Sequence, residues 1–101
     1  MEKEFRMEMP ARIHLVIIGR VQNVGFRSYV QNVAASLSVT GWVRNMRYDQ
    51  VEVMAEGVRP ILEQFLNLVI VGPRGSRVDN VEISWEKPSG EFSAFGIRFS
   101  H

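Results

Sequence analysis

The apolar residues of this chain change period as the chain proceeds, and that succession constrains the fold more than any other feature. From Ala11 to Gly19, ARIHLVIIG is rich in β-branched residues and places Ile13, Leu15 and Ile17 at alternate positions. It predicts a strand with one buried face. From Arg27 to Leu37, the residues Tyr29, Val30, Val33, Ala34 and Leu37 recur at three- and four-residue intervals, which predicts a helix with an apolar stripe. Period two returns in GWVRNMRYDQVEVMAEG, Gly41 to Gly57, where Val51, Val53 and Ala55 alternate with Glu52, Met54 and Glu56. This reads as a hairpin turning near Arg47 to Gln50. Pro60 then suits the first turn of a second helix, carrying Ile61, Leu62, Phe65, Leu66, Val69 and Ile70 and stopped by Gly72-Pro73. After the loop GPRGS, Val81, Ile83 and Trp85 alternate with Glu82, Ser84 and Glu86 in a fourth strand. The closing FGIRFS, with Phe95, Ile97 and Phe99 on one face, predicts a short terminal edge strand.

The order is β-α-β-β-α-β plus a terminal strand. With right-handed crossovers, both helices fall on one face of a mixed, mostly antiparallel sheet, giving an α+β class and a ferredoxin-like α/β sandwich. A chain of 101 residues supports one core of this kind and not two. Residues 11–101 are therefore expected to form a single domain, with MEKEFRMEMP at 1–10 as a flexible tail. That tail lacks the apolar run of a secretory signal, and no segment approaches the roughly 20 apolar residues that span a bilayer. The expectation is a cytoplasmic, monomeric protein with no membrane partner.

Several chemistries are excluded or disfavoured by composition. The chain has no cysteine, which removes disulfides, thiolate catalysis and Cys-ligated zinc. Twelve Lys and Arg against eleven Asp and Glu give a net charge of +1, without the basic footprint of a nucleic-acid binder. Trp42, Trp85, Phe92, Phe95 and Phe99 could stack bases on such a sheet, but their alternation fits core packing. His14 lies mid-strand without a partner at ligand spacing and reads as a packed or rim residue; His101 is terminal. Glu52 and Glu56 share a strand face and read as a solvated polar surface, so no metal and no cofactor are assigned.

The stretch GRVQNVGFRSY, Gly19 to Tyr29, carries a charge that local stability does not call for. Helix N-termini carry unpaired N–H groups and partial positive charge, so a cation such as Arg27 at the start of a helix is poorly placed for stability. A strand, a loop with Gly19 and Gly25, and a helix have the form of an anion cradle, which an arginine fork would complete. By spacing alone, a tight turn with Arg27 directed to solvent is the favoured reading of the same residues.

GRVQNVGFR at 19–27 resembles the first signature of the acylphosphatase family, and GWVRN at 41–45 resembles the second. The likeness continues through VEVMAEG, GPRGSRV and FGIRF, covering residues 11–100. It implies hydrolysis of acyl phosphates to a carboxylate and phosphate. It places the phosphate-binding arginine at Arg27 and the water-positioning asparagine at Asn45. The loop Arg20, Val21, Gln22, Asn23, Val24, Gly25, Phe26 and Arg27 would then supply backbone donors. The implied partners are a small acyl phosphate substrate and inorganic phosphate as product and competitive inhibitor, with no nucleic acid. A noncatalytic phosphate or carbamoyl-phosphate binding module of the same fold is the alternative. The sequence departs from the signature at Asn23, where the pattern has glycine; asparagine tolerates positive φ better than most residues. It departs again at Tyr48-Asp49, where a usual Asp-Gly turn is absent and Asp49 is expected to take the left-handed conformation.

Overall fold

The computed structural model describes residues 9–99, so most of the expected tail, and His101, lie outside the described residues. Strand β1 spans Pro10–Arg20, helix α1 Phe26–Ser36, β2 Thr40–Asn45, β3 Gln50–Val58, helix α2 Arg59–Val71, β4 Arg77–Glu86 and β5 Phe95–Arg98. The five strands form one sheet in the order β4-β1-β3-β2-β5. All neighbours are antiparallel except β2 and β5, which pair in parallel. This is the mixed ferredoxin-like arrangement that the periodicity predicts, with β5 as the terminal edge strand.

Alternation decides which face of the sheet is covered. Ile13, Leu15 and Ile17 of β1, Val43 of β2, and Val51, Val53 and Ala55 of β3 are fully buried. They form one cluster with Phe26, Val30 and Ala34 of α1 and Leu62, Phe65 and Val69 of α2. Both helices therefore lie on one side, and their predicted stripes are the faces that pack. Burying side chains of this size contributes roughly 1.5–3 kcal/mol each, so this single layer carries most of the favourable energy of folding.

The far face of the sheet differs from expectation. Glu56, read from sequence as solvated, is only 6% exposed. The strands β4 and β5 occupy opposite edges, so residues 87–94 must cross the sheet, and Glu56 anchors that crossing. Its carboxylate accepts hydrogen bonds from the backbone N–H groups of Ser89 and Gly90 at 2.8 and 2.9 Å, and from Arg12 Nε at 2.7 Å. Glu52 likewise pairs with His14 and with Arg44, each at 2.6 Å. Trp42 is not a core residue either: it lies on this face, with the guanidinium groups of Arg44 and Arg98 stacked 5.4 and 4.7 Å from its ring. Cross-strand charge pairs thus occupy the side that helices leave uncovered.

The sheet edges also depart from the pattern. Ile83 has the parity of the buried face but is 48% exposed, because β4 lies at the edge and the helices do not reach over it fully. Phe99 follows the last residue of β5 and is 84% exposed rather than packed with Phe95 and Ile97. Among the described residues no helix is long and apolar enough to cross a membrane.

Candidate active site

The end of β1 is shaped by one close approach. The register between β1 and β4 shifts between Ile18 and Gly19. At Gly19, with φ 147°, an added Cβ would lie 2.2 Å from the carbonyl oxygen of Arg77, so any side chain would displace β4. Beyond Arg20 the chain turns back through 21–25 into α1, held at its two ends by the buried side chains of Val21 and Phe26. The reversal uses two left-handed residues, Asn23 at φ 61° and Gly25 at φ 77°. Asparagine does at 23 what the sequence suggests it can.

Gly25 is the N-cap of α1 and has no side chain to bond the leading N–H groups, and no acidic residue stands in the first turn. The donors that every helix leaves at its start are therefore not satisfied by the helix's own side chains. Together with the helix dipole, they suit an anion.

A cleft of about 100 Å³ opens at this point. It is lined by Val21, Gln22, Asn23 and Gly25 of the loop, by Phe26, Arg27 and Ser28 of α1, and by Asn45 of β2. Its volume lies well below the roughly 300–1,000 Å³ of pockets for drug-sized ligands, so it suits a group of phosphate size. Arg27 brings the one charged side chain of the lining, and among the described residues it has no carboxylate partner. Asn45 ends β2 and shares the parity of the buried Val43, which directs it toward the helix side of the sheet. The β2–β3 hairpin therefore brings Asn45 to Arg27 across a long separation in sequence.

Two of the predicted loop residues do not line this cleft. Arg20 is exposed and faces an adjoining groove of about 320 Å³ shared with Tyr48, Asp49, Arg77 and Asp79, and Arg77 is paired with Asp79 at 2.8 Å. Val24 packs against the core. Sequence reading missed Ser28, whose only signal was a hydroxyl in the first helical turn. It also missed the bonds made by Gln22, whose Nε2 donates to the carbonyls of Met46 at 3.2 Å, Gln50 at 2.9 Å and Arg47.

The hairpin turn corrects one expectation. Asp49 is not left-handed: the only non-glycine residues with positive φ among those described are Asn23 and Ser38. The turn instead closes from Gln50 N–H to Arg47 C=O at 3.1 Å, a geometry that needs no positive φ at its central residues. Gly19 N–H also donates to Asp49 C=O at 3.0 Å, tying the turn to the end of β1.

Comparison with known proteins bears on this geometry. The acylphosphatase family model matches residues 13–97. The chain is 42% identical over 87 residues to an acylphosphatase of Roseiflexus sp. (strain RS-1), covering 86% of this chain and 94% of that one. It is 46% identical over 92 residues to an acylphosphatase of Pyrobaculum arsenaticum, covering 90% and 96% respectively. The crystal structure of acylphosphatase from Bacillus subtilis superposes with a TM-score of 0.84 at 32% identity, over 89% of this chain and 99% of that one.

Proposed function

The chain belongs to the acylphosphatase family and is an enzyme of it, and from that premise we propose that it hydrolyses small acyl phosphates with Arg27 and Asn45 as its catalytic residues. The observation that supports these roles is their meeting in one small cleft at the uncapped start of α1.

Arg27 and the N–H groups of the 20–27 loop hold the phosphoryl oxygens. The arginine fork offers paired donors and the helix start offers oriented dipoles, so charge redistributing on the phosphoryl group meets fixed partners. The bound dianion also removes the conflict between Arg27 and the helix dipole. Asn45, with one carbonyl acceptor and an amide donor, fixes a water in line with the leaving oxygen. The water oxygen forms a bond to phosphorus while the bond from phosphorus to the acyl oxygen breaks. The electron pair leaves on a carboxylate, which needs no proton to depart, and the water's proton passes to a phosphoryl oxygen. Positioning and charge stabilisation then account for the acceleration, which fits a cleft without a lining carboxylate or histidine.

The test is hydrolysis of benzoyl phosphate followed by ultraviolet absorbance. The native protein is expected to turn over, with inorganic phosphate as a competitive inhibitor. Arg27→Gln should lower kcat/KM by roughly 10²–10³-fold and abolish the phosphate inhibition. Asn45→Ala should lower kcat by about 10²-fold while phosphate still competes. A folded native protein that gains thermal stability with phosphate, yet shows no turnover, would refute hydrolysis and favour a noncatalytic anion-binding module.

A further inference from the structure

We infer that Gln22 is a positioning residue, which sets Asn45 against the phosphate cradle by clamping the β2–β3 turn to the loop. The inference rests on the catalytic reading of Arg27 and Asn45 given above.

Strand β3 is paired with β1 up to Gln50, but β2, which carries Asn45, lies one strand further from the loop that follows β1. Asn45 is the last residue of β2, paired with Val51, and the chain leaves the sheet just after it. Its side chain therefore sits where strand order ends. Opposite it, Gln22 extends from the cradle loop to three carbonyls of the turn, those of Met46, Arg47 and Gln50. A carboxamide NH2 has two N–H donors, so three acceptors around one nitrogen mean that at least one donor is shared. Carbonyls converging in this way repel one another unless a donor lies between them.

Two of the three have structural weight. Met46 directly follows Asn45, and the Gln50 carbonyl also accepts from Met46 N–H at 2.9 Å, so both belong to the closing pair of the hairpin. The same hydrogen-bonded unit thus holds Asn45 on one side and Gln22 on the other. Gln22 is itself part of the cleft lining, and the loop that carries it leads directly to Gly25 and Arg27. The backbone ties, the β1–β3 register up to Ile18 and Gln50 and the bond from Gly19 N–H to Asp49 C=O, hold the β3 side of the turn to β1 and leave the side next to Asn45 to Gln22. In-line attack depends on the relative placement of water and phosphoryl group, and small misplacements there cost large factors in rate.

A residue that only shapes the loop would affect phosphate binding, whereas one that sets Asn45 affects the chemical step. Gln22→Met keeps length and removes the donors. With benzoyl phosphate, this variant is expected to lower kcat at least tenfold and to leave the inhibition constant of inorganic phosphate within twofold. Gln22→Met combined with Asn45→Ala should be no slower than Asn45→Ala alone, within twofold. An inhibition constant that rises in proportion to the loss of kcat/KM, or factors that multiply in the double variant, would overturn the inference. If the native protein hydrolysed no benzoyl phosphate, the functional reading would fail separately. The clamp would still be read in ¹H–¹⁵N spectra: Gln22→Met should shift the Asn45 side-chain amide and the amides of 46–50. An unmoved Asn45 amide in a folded variant would overturn it.

Discussion

Asn23 stands at φ 61° on the rim of the cleft, at the position where the resembling signature carries glycine. An L-residue held there costs on the order of 1 kcal/mol, less for asparagine than for most. Asn23→Gly should therefore change stability by no more than about 1 kcal/mol in urea unfolding, since relief of strain is offset by greater freedom of the unfolded chain. Because the cradle is built largely of backbone, kcat with benzoyl phosphate is expected to stay within threefold. A gain of tenfold would show that the Asn23 carboxamide obstructs the site. The residue level was where the sequence spoke most directly: Arg27 at a helix start and Asn23 in a reversal both carry a local physical conflict that a reader can see. Asp49 shows the limit, since its backbone angles follow from how the whole turn closes onto Gln22 and Gly19.

At the scale of elements, α1 ends in a way the sequence did not announce. Ser38 lies at φ 56°, its N–H donates to Ala35 C=O at 3.3 Å, and Val39 N–H reaches back to Ala34 C=O at 2.9 Å. This is a Schellman closure, whose left-handed position favours glycine. Ser38→Gly is expected to stabilise the protein by roughly 0.5–1 kcal/mol, and Ser38→Val to destabilise it by about 1–2 kcal/mol. Both shifts would be read by thermal unfolding, with kcat unchanged because the cleft lies at the opposite end of the helix. Strand β4 makes a related point. It begins at Arg77, earlier than the alternation at Val81 suggests, because Arg77, Val78 and Asn80 pair with β1 through their backbone while the irregularity at Asp79 puts Val78 out of phase with Val81. An edge strand of this kind is set by its neighbour's hydrogen bonds rather than by its own pattern.

At the scale of the molecule, the crossing from β4 to β5 is held by charge. Burial by itself would raise the Glu56 carboxyl, but hydrogen bonds from Ser89 N–H, Gly90 N–H and Arg12 outweigh it and hold the group below its ordinary value of 4.5. At Glu52, likewise, burial would raise the carboxyl, but hydrogen bonds and charge from His14 and Arg44 outweigh it and hold the group below its ordinary value. A carboxyl depressed on folding stabilises fully above 4.5 and loses that contribution as pH falls through the lower folded value. Glu56→Gln should therefore cost on the order of 2 kcal/mol near neutral pH, since Arg12 and two backbone donors lose a charged acceptor. The gap between native and variant should narrow as pH drops below about 4.5 in parallel urea titrations. A gap that stayed constant with pH would mean the carboxylate does not carry the clasp.

The split between what was legible and what was not follows from the range of the forces. Periodicity is a local property, because a side chain's direction repeats with the backbone that carries it. The sequence therefore determined the order of elements, the covered face and the core stripes at Ile13–Ile17, Val51–Ala55, Val30–Ala34 and Leu62–Val69. Glycine, proline and the misplaced charge of Arg27 are local too, so the loop before α1 could be singled out before any coordinates. Polar partners are not local. A carboxylate on an alternating strand looks solvated until the chain beyond β4 folds over Glu56. A glutamine in a loop looks unengaged until a hairpin 24 to 28 residues away presents three carbonyls to Gln22. The tertiary structure alone decided those contacts, because hydrogen bonds and ion pairs act over a few ångströms and depend on which distant segments the packed core brings within that reach.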